Sequence, residues 1–107
     1  MPLERHALVA GIAPGKRCEY LRLHSAVWPQ VEQTLTDNGF TNYTIFNLGD
    51  TLFAYYEYVG ADHAASLARI ADDPTTQEWW THTDPCQVSI DDTPSTWSKL
   101  DDVWHLP

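Results

Sequence analysis

Tyr20, His24 and Trp28 stand four residues apart, a spacing that stacks a phenol, an imidazole and an indole along one stripe of a helix. Such a stripe is ordinarily buried packing. Two features set this one apart. Its middle member is the side-chain type that titrates near neutral pH without help, and its lower end abuts Pro29, which removes a backbone hydrogen bond and clashes with the carbonyl of Ser25. Trp79 and Trp80 are adjacent, and neighbours on a helix point about 100° apart, so one core face cannot bury both. At least one meets a cavity, a partner or solvent, which leaves a ligand platform and a dimer contact as open readings. Tyr43, following Asn42, adds a further hydroxyl. Glu57 interrupts an aromatic run, so it sits at an edge or is hydrogen-bonded in a pocket. No HExxH, no CxxC and no glycine-rich phosphate loop is present. His82 and Cys86 are four apart, but Pro85 disrupts a shared helical face, and no metal is assigned. What remains is an acid/base site with aromatic walls and no cofactor.

These residues must be positioned by a small set of elements. Arg5–Ile12 reads as a strand closed by Pro14 and Gly15. Residues 15–38 carry Tyr20, Leu23, Val27, Val31 and Leu35 at helical steps, with a kink or break expected near Trp28 and Gly39 as a left-handed stop. Phe40–Asn47 and Thr51–Val59 form a hairpin across Leu48-Gly49-Asp50. Asp62 is the expected cap of a helix over His63–Ala71. Pro74 opens a second short helix from Thr75 to about His82. Asp84–Ser95 reads as a loop, and Lys99–Leu106 is expected to contain the last strand. The order β-α-β-β-α-β is the ferredoxin-like split motif, an α+β fold with helices on one face of an antiparallel sheet. The runs Ala7–Ile12 and Leu52–Tyr56 are apolar on both alternating faces, whereas a sheet wet on one side alternates. The second face is therefore covered, most simply by the same face of another copy in a two-fold homodimer; long loops over a monomer are the alternative.

The chain of 107 residues is expected to form one domain spanning 1–107. Fifteen acidic against six basic side chains give a formal charge of −9. That excess repels phosphate backbones, which argues against nucleic acid as a partner and favours a neutral ligand; solubility alone is the plainer explanation. Five Trp, five Tyr and three Phe suit either the C–H face of a sugar or an aromatic interface. Cys18 and Cys86 read as reduced thiols. The N-terminus lacks the pattern of a signal peptide, and no apolar run approaches the ~20 residues of a membrane span, so a cytoplasmic location is expected.

Taken in order, Glu19-Tyr20 with His24, Trp28-Pro29, Asn42-Tyr43, Leu52-Phe53-Ala54 with Glu57, Trp79-Trp80 and the closing Val103-Trp104-His105-Leu106-Pro107 resemble the L-rhamnose mutarotase family nearly end to end. The resemblance implies a cofactor-free homodimeric isomerase with the dimeric α/β-barrel form of the ferredoxin-like fold. It implies interconversion of the α and β anomers of a free 6-deoxy-hexose, L-rhamnose first. His24 would be the proton donor, and Tyr20, Tyr43, Trp79 and Trp80 would contact the sugar. On this reading His24 protonates the ring oxygen, while Tyr43, Tyr20 or a water held by Glu57 takes the anomeric proton. Thr81-His82 and His105 depart from the family pattern, which leaves L-fucose or another deoxy-sugar open. Two rival readings share the fold: a cofactor-free monooxygenase, and a non-catalytic ligand-binding barrel.

Overall fold

A computed structural model describes residues 3–107. The chain runs β1 (Glu4–Ile12), α1 (Arg17–His24), α2 (Pro29–Asp37), β2 (Phe40–Leu48), β3 (Thr51–Tyr58), α3 (His63–Ala71) and α4 (Pro74–Thr83). A 3₁₀ turn (Asp84–Cys86) and two short strands, β4 (Gln87–Val88) and β5 (Ser98–Lys99), follow. The sheet order is β2-β3-β1-β4, with β5 also on β1, and every pairing is antiparallel. This is the ferredoxin-like arrangement expected from the element order.

Local signals explain most boundaries. A residue preceding proline is pushed out of the helical region, and Trp28 is extended (φ −62°, ψ 130°), with Pro29 taking the first turn of α2. One long periodic segment thus becomes two helices. Asp62 accepts the Ala65 amide at 3.1 Å, and Asp73 accepts the amide and hydroxyl of Thr76 at 2.9 and 2.8 Å, capping α3 and α4. Gly39 follows α2 at φ +86°, and a Cβ there would strike the Val59 carbonyl. Gly39→Ala is expected to destabilise the fold by at least ~1–2 kcal/mol, the cost of forcing a side chain into the left-handed region. A urea midpoint lowered at unchanged slope is the measurement.

Strand β3 alternates cleanly. Leu52, Ala54, Tyr56 and Tyr58 are buried on the inner face, beneath the helices, while Phe53, Tyr55 and Glu57 point to the other face. Two clusters make up the core on the inner side. One joins Ile12, Tyr20, Leu52 and Cys86; the other joins Phe40, Tyr56, Tyr58 and Ile70. On the outer face Phe46 and Phe53 remain 58% and 39% exposed.

The C-terminal expectation needs correction. The fourth strand position is filled by two two-residue pieces rather than one strand within Lys99–Leu106. β4 pairs Gly11 and Ile12, β5 pairs Leu8 and Val9, and the two share one edge of β1. Between them Asp91 gathers the hydroxyls of Ser89 and Ser98 at 2.9 Å each and the Thr93 amide at 3.3 Å. These local bonds offer the backbone an alternative to the ladder and throw the segment out as a loop. Residues 100–107 form no regular element; adjacent Asp101 and Asp102 break the strand pattern, and Val103 and Trp104 are exposed.

Candidate functional site

The strand β2 carries a two-against-one bulge. Thr41 pairs Glu57 and Thr44 pairs Tyr55, so Asn42 and Tyr43 together oppose Tyr56, with Asn42 at φ 51°. A bulge re-aims the side chains around it. Asn42 is turned to the outer face, where it donates to Glu57 Oε1 at 2.7 Å. Tyr43 is turned to the inner face, where it stacks on Tyr56 with ring centroids 5.2 Å apart.

Between helices and sheet lies a cavity of about 1130 Å³, lined among others by His24, Tyr43, Tyr56, Trp79 and Trp80. Its size exceeds the usual ~300–1,000 Å³ of small-ligand pockets. His24 ends α1, half-buried. Its Nδ1 lies 3.0 Å from the Tyr20 carbonyl, and a carbonyl only accepts, so Nδ1 carries the proton and Nε2 is the nitrogen left with a lone pair. Burial lowers the His24 pKa, partly offset by that hydrogen bond, so the neutral imidazole is the resting form. Beneath it the Tyr20 ring stacks at 4.2 Å. Trp79 meets the imidazole edge-on at 5.5 Å and Trp28 at 5.3 Å, and Trp28 meets His82 at 5.5 Å.

The structure thus brings His24, Tyr43, Trp79 and Trp80 to one cavity. Trp79 is buried in the aromatic nest, whereas Trp80 is 38% exposed at its rim. Tyr20 does not line the cavity. It is 2% exposed, in the core, and its hydroxyl has no hydrogen-bond partner among the described residues; burial raises its pKa well above the ordinary phenol range. Desolvation also raises the Tyr43 pKa.

Glu57 is a correction. It sits on the outer face, bound by Asn42 and by the Tyr55 hydroxyl at 2.8 Å, and these two donors hold its carboxyl below the usual range. The sheet separates it from His24, so no water held by Glu57 serves the cavity. Conversely, sequence reading passed over His6, Tyr56 and His63, which also line the cavity. The register sets His6 directly opposite Tyr56, and the Tyr56 hydroxyl lies 2.7 Å from His63 Nε2. The available signal was the pair Glu4 and His6, two apart on a strand and so on one face.

Fold and cavity together define a ferredoxin-like α+β protein with a large cavity between its sheet and its helices. The family model for L-rhamnose mutarotase matches residues 5–106. An L-rhamnose mutarotase of Listeria monocytogenes is 33% identical over 106 residues, covering 97% of this chain and 99% of that one. This chain therefore belongs to the L-rhamnose mutarotase family. The crystal structure of an L-rhamnose mutarotase from Formosa agariphila superposes with a TM-score of 0.76 at 27% identity, covering 97% of this chain and 99% of that chain. Tetracenomycin F2 cyclase of Streptomyces glaucescens, a type-II polyketide cyclase, matches with a TM-score of 0.66 at 14% identity over 97% and 99% of the two chains, which speaks for the fold alone. Among the described residues no helix is long and apolar enough to cross a membrane.

Proposed function

We propose that the whole chain acts as one isomerase domain that interconverts the α and β anomers of free L-rhamnose, with His24 as the proton-carrying group. The observation that carries this reading is an imidazole on the cavity wall, its Nδ1 tied back to the helix at 3.0 Å from the Tyr20 carbonyl and its Nε2 left for a ligand. In that tautomer His24 accepts before it donates, which reverses the first step expected from the family resemblance. Nε2 takes the proton of the anomeric hydroxyl. The O1 electrons close to a carbonyl, the C1–O5 bond breaks, and O5 takes a proton from the Tyr43 hydroxyl or a cavity water. Rotation about C1–C2 presents the other face of the aldehyde. O5 then attacks C1 and returns its proton to that donor, while the imidazolium returns the first proton to O1. No proton or electron is gained or lost, and no cofactor is called for.

Trp80 at the rim offers a face for the C–H side of the sugar, and Trp79 holds the imidazole edge. Tyr20 underpins His24 from within the core, its ring stacked beneath the imidazole at 4.2 Å. His82 touches this nest through Trp28, so the choice of sugar is tested directly: NMR saturation transfer between anomeric protons, run with L-rhamnose, L-fucose, D-galactose and D-ribose. L-rhamnose is expected to exchange fastest. Exchange of none of the four above the buffer rate would sink the reading and favour a non-catalytic barrel.

A second copy of the chain is the proposed cover for the outer face, where Phe46, Leu48 and Phe53 are exposed, since contiguous apolar surface of this kind marks an interface. Wild type is expected to sediment as a dimer and Phe53→Asp as a monomer. A monomeric wild type would refute the two-fold assembly. Two unpaired cysteines fit a reducing, cytoplasmic setting.

A further inference from the structure

One wall of the cavity carries ligating atoms that the anomerisation reading does not use. Glu4 and His6 share the inner face of β1, and His63 opens α3 directly behind its Asp62 cap. The fold lays the His63 ring on that of His6, centroids 4.1 Å apart and planes within 12°. A ligating atom from each of Glu4, His6 and His63 lies within 4.8 Å of the others. Tyr56, from outside the group, touches both rings. His6 Nε2 meets Glu4 Oε1 at 3.1 Å and its ring stacks on Tyr56 at 4.9 Å, while the Tyr56 hydroxyl fixes His63 through Nε2 at 2.7 Å.

Neutral imidazole is the metal-ligating form, and the carboxylate adds one negative charge. Two nitrogens and one oxygen within 4.8 Å of one another supply the donor set of borderline first-row cations, zinc foremost, with a fourth position left for water; one ring turns out of the stack so that both nitrogen lone pairs meet at the ion. Lys99, on the same cavity wall, opposes a cation and weakens the site without removing a ligand.

We propose that Glu4, His6 and His63 bind one divalent transition-metal ion, zinc in the first instance, which clips the start of β1 to the first turn of α3. Binding replaces the His6–Glu4 hydrogen bond, the His6 proton moving to Nδ1. The ion draws its ligands from β1 and α3, whereas His24 is supplied by α1.

The test uses untagged protein stripped with a chelator. Zinc is titrated calorimetrically, and cobalt(II) is added as a spectroscopic probe of nitrogen and oxygen ligation. One equivalent per chain and a higher melting temperature with zinc are expected for wild type and for His105→Ala, whose histidine lies on the exposed C-terminal segment. His6→Ala and His63→Ala are each expected to weaken binding by more than about tenfold and to abolish the thermal shift. Should either histidine variant fail to fold by circular dichroism, Glu4→Gln, at an exposed position, is read instead with the same expectation. Absence of zinc binding to wild type, or undiminished binding in these variants, would overturn the site.

Discussion

Replacing His24 with alanine is expected to slow anomer exchange by about 10²–10⁴-fold, the usual contribution of a positioned acid/base group. The side chain is half-buried at the end of α1, so its loss removes the stack on Tyr20 and the edge contact to Trp79 without opening the core. His24→Asn fills part of the space but does not titrate, and is expected to be nearly as slow. The pH dependence supplies an independent signature. Burial lowers the His24 pKa, and the neutral form is the one that accepts the anomeric proton. Wild-type rate is therefore expected to rise with pH through that depressed value and to level off above it, with the reactive form already dominant at neutral pH. Both variants are expected to lose this rise. Saturation transfer between the anomeric protons, measured from about pH 5 to 8, reads rate and profile together. Variants as fast as wild type would remove His24 from the chemistry.

The adjacent tryptophans are expected to part company when each is truncated. Trp79 is 5% exposed and wedged between His24 and Trp28 at 5.5 and 5.3 Å. Trp79→Ala leaves a void among aromatic rings, and such deletions destabilise by about 3–5 kcal/mol. It also frees the imidazole, so kcat falls with stability. Trp80 is on the rim and supports little of the core; Trp80→Ala is expected to shift stability by only about 0.5 kcal/mol. What it removes is a face for the sugar, and a rise in KM of roughly tenfold, about 1.4 kcal/mol, with kcat nearly kept, is the expected result. Denaturant titration beside anomer-exchange kinetics separates the two variants. A Trp80 variant that unfolds, or a Trp79 variant as stable as wild type, would show that the roles are misassigned.

Residues that act on their own neighbours were legible in sequence. Pro29 splits a helix, Gly39 ends one, and Asp62 caps one, each through bonds within a few residues. The apolar run Leu52–Tyr56 announced a strand before any pairing was known, but it read as apolar on both faces, so the burial of Leu52, Ala54, Tyr56 and Tyr58 on one face only was not legible. Long-range register was not legible. Which face receives Tyr43 and which receives Glu57 depends on one extra residue at Asn42, and a slip of one position exchanges the faces of a strand. The fourth strand was expected too late in the chain for a similar reason: Leu100, Val103, Trp104 and Leu106 are apolar, but pairing with β1 begins at β4 and β5 and ends at Leu100, whose amide donates to the Ala7 carbonyl at 2.9 Å. The meeting of His6 with His63 depends on α3 beginning against the inner face of β1, which no spacing encodes. For the cavity, the helical step from Tyr20 to His24 was readable from spacing. That Tyr43 and the two tryptophans belong beside it came from likeness to a family, and the bulge and the Pro74 helix start are the physical means that put them there.

A crystal structure with L-rhamnose bound tests the central claim most directly. The sugar is expected in the cavity, its apolar face on Trp80 and its anomeric hydroxyl or ring oxygen within about 2.6–3.2 Å of His24 Nε2. A sugar bound elsewhere on the chain, or in the cavity with its anomeric centre turned away from His24, would contradict the account.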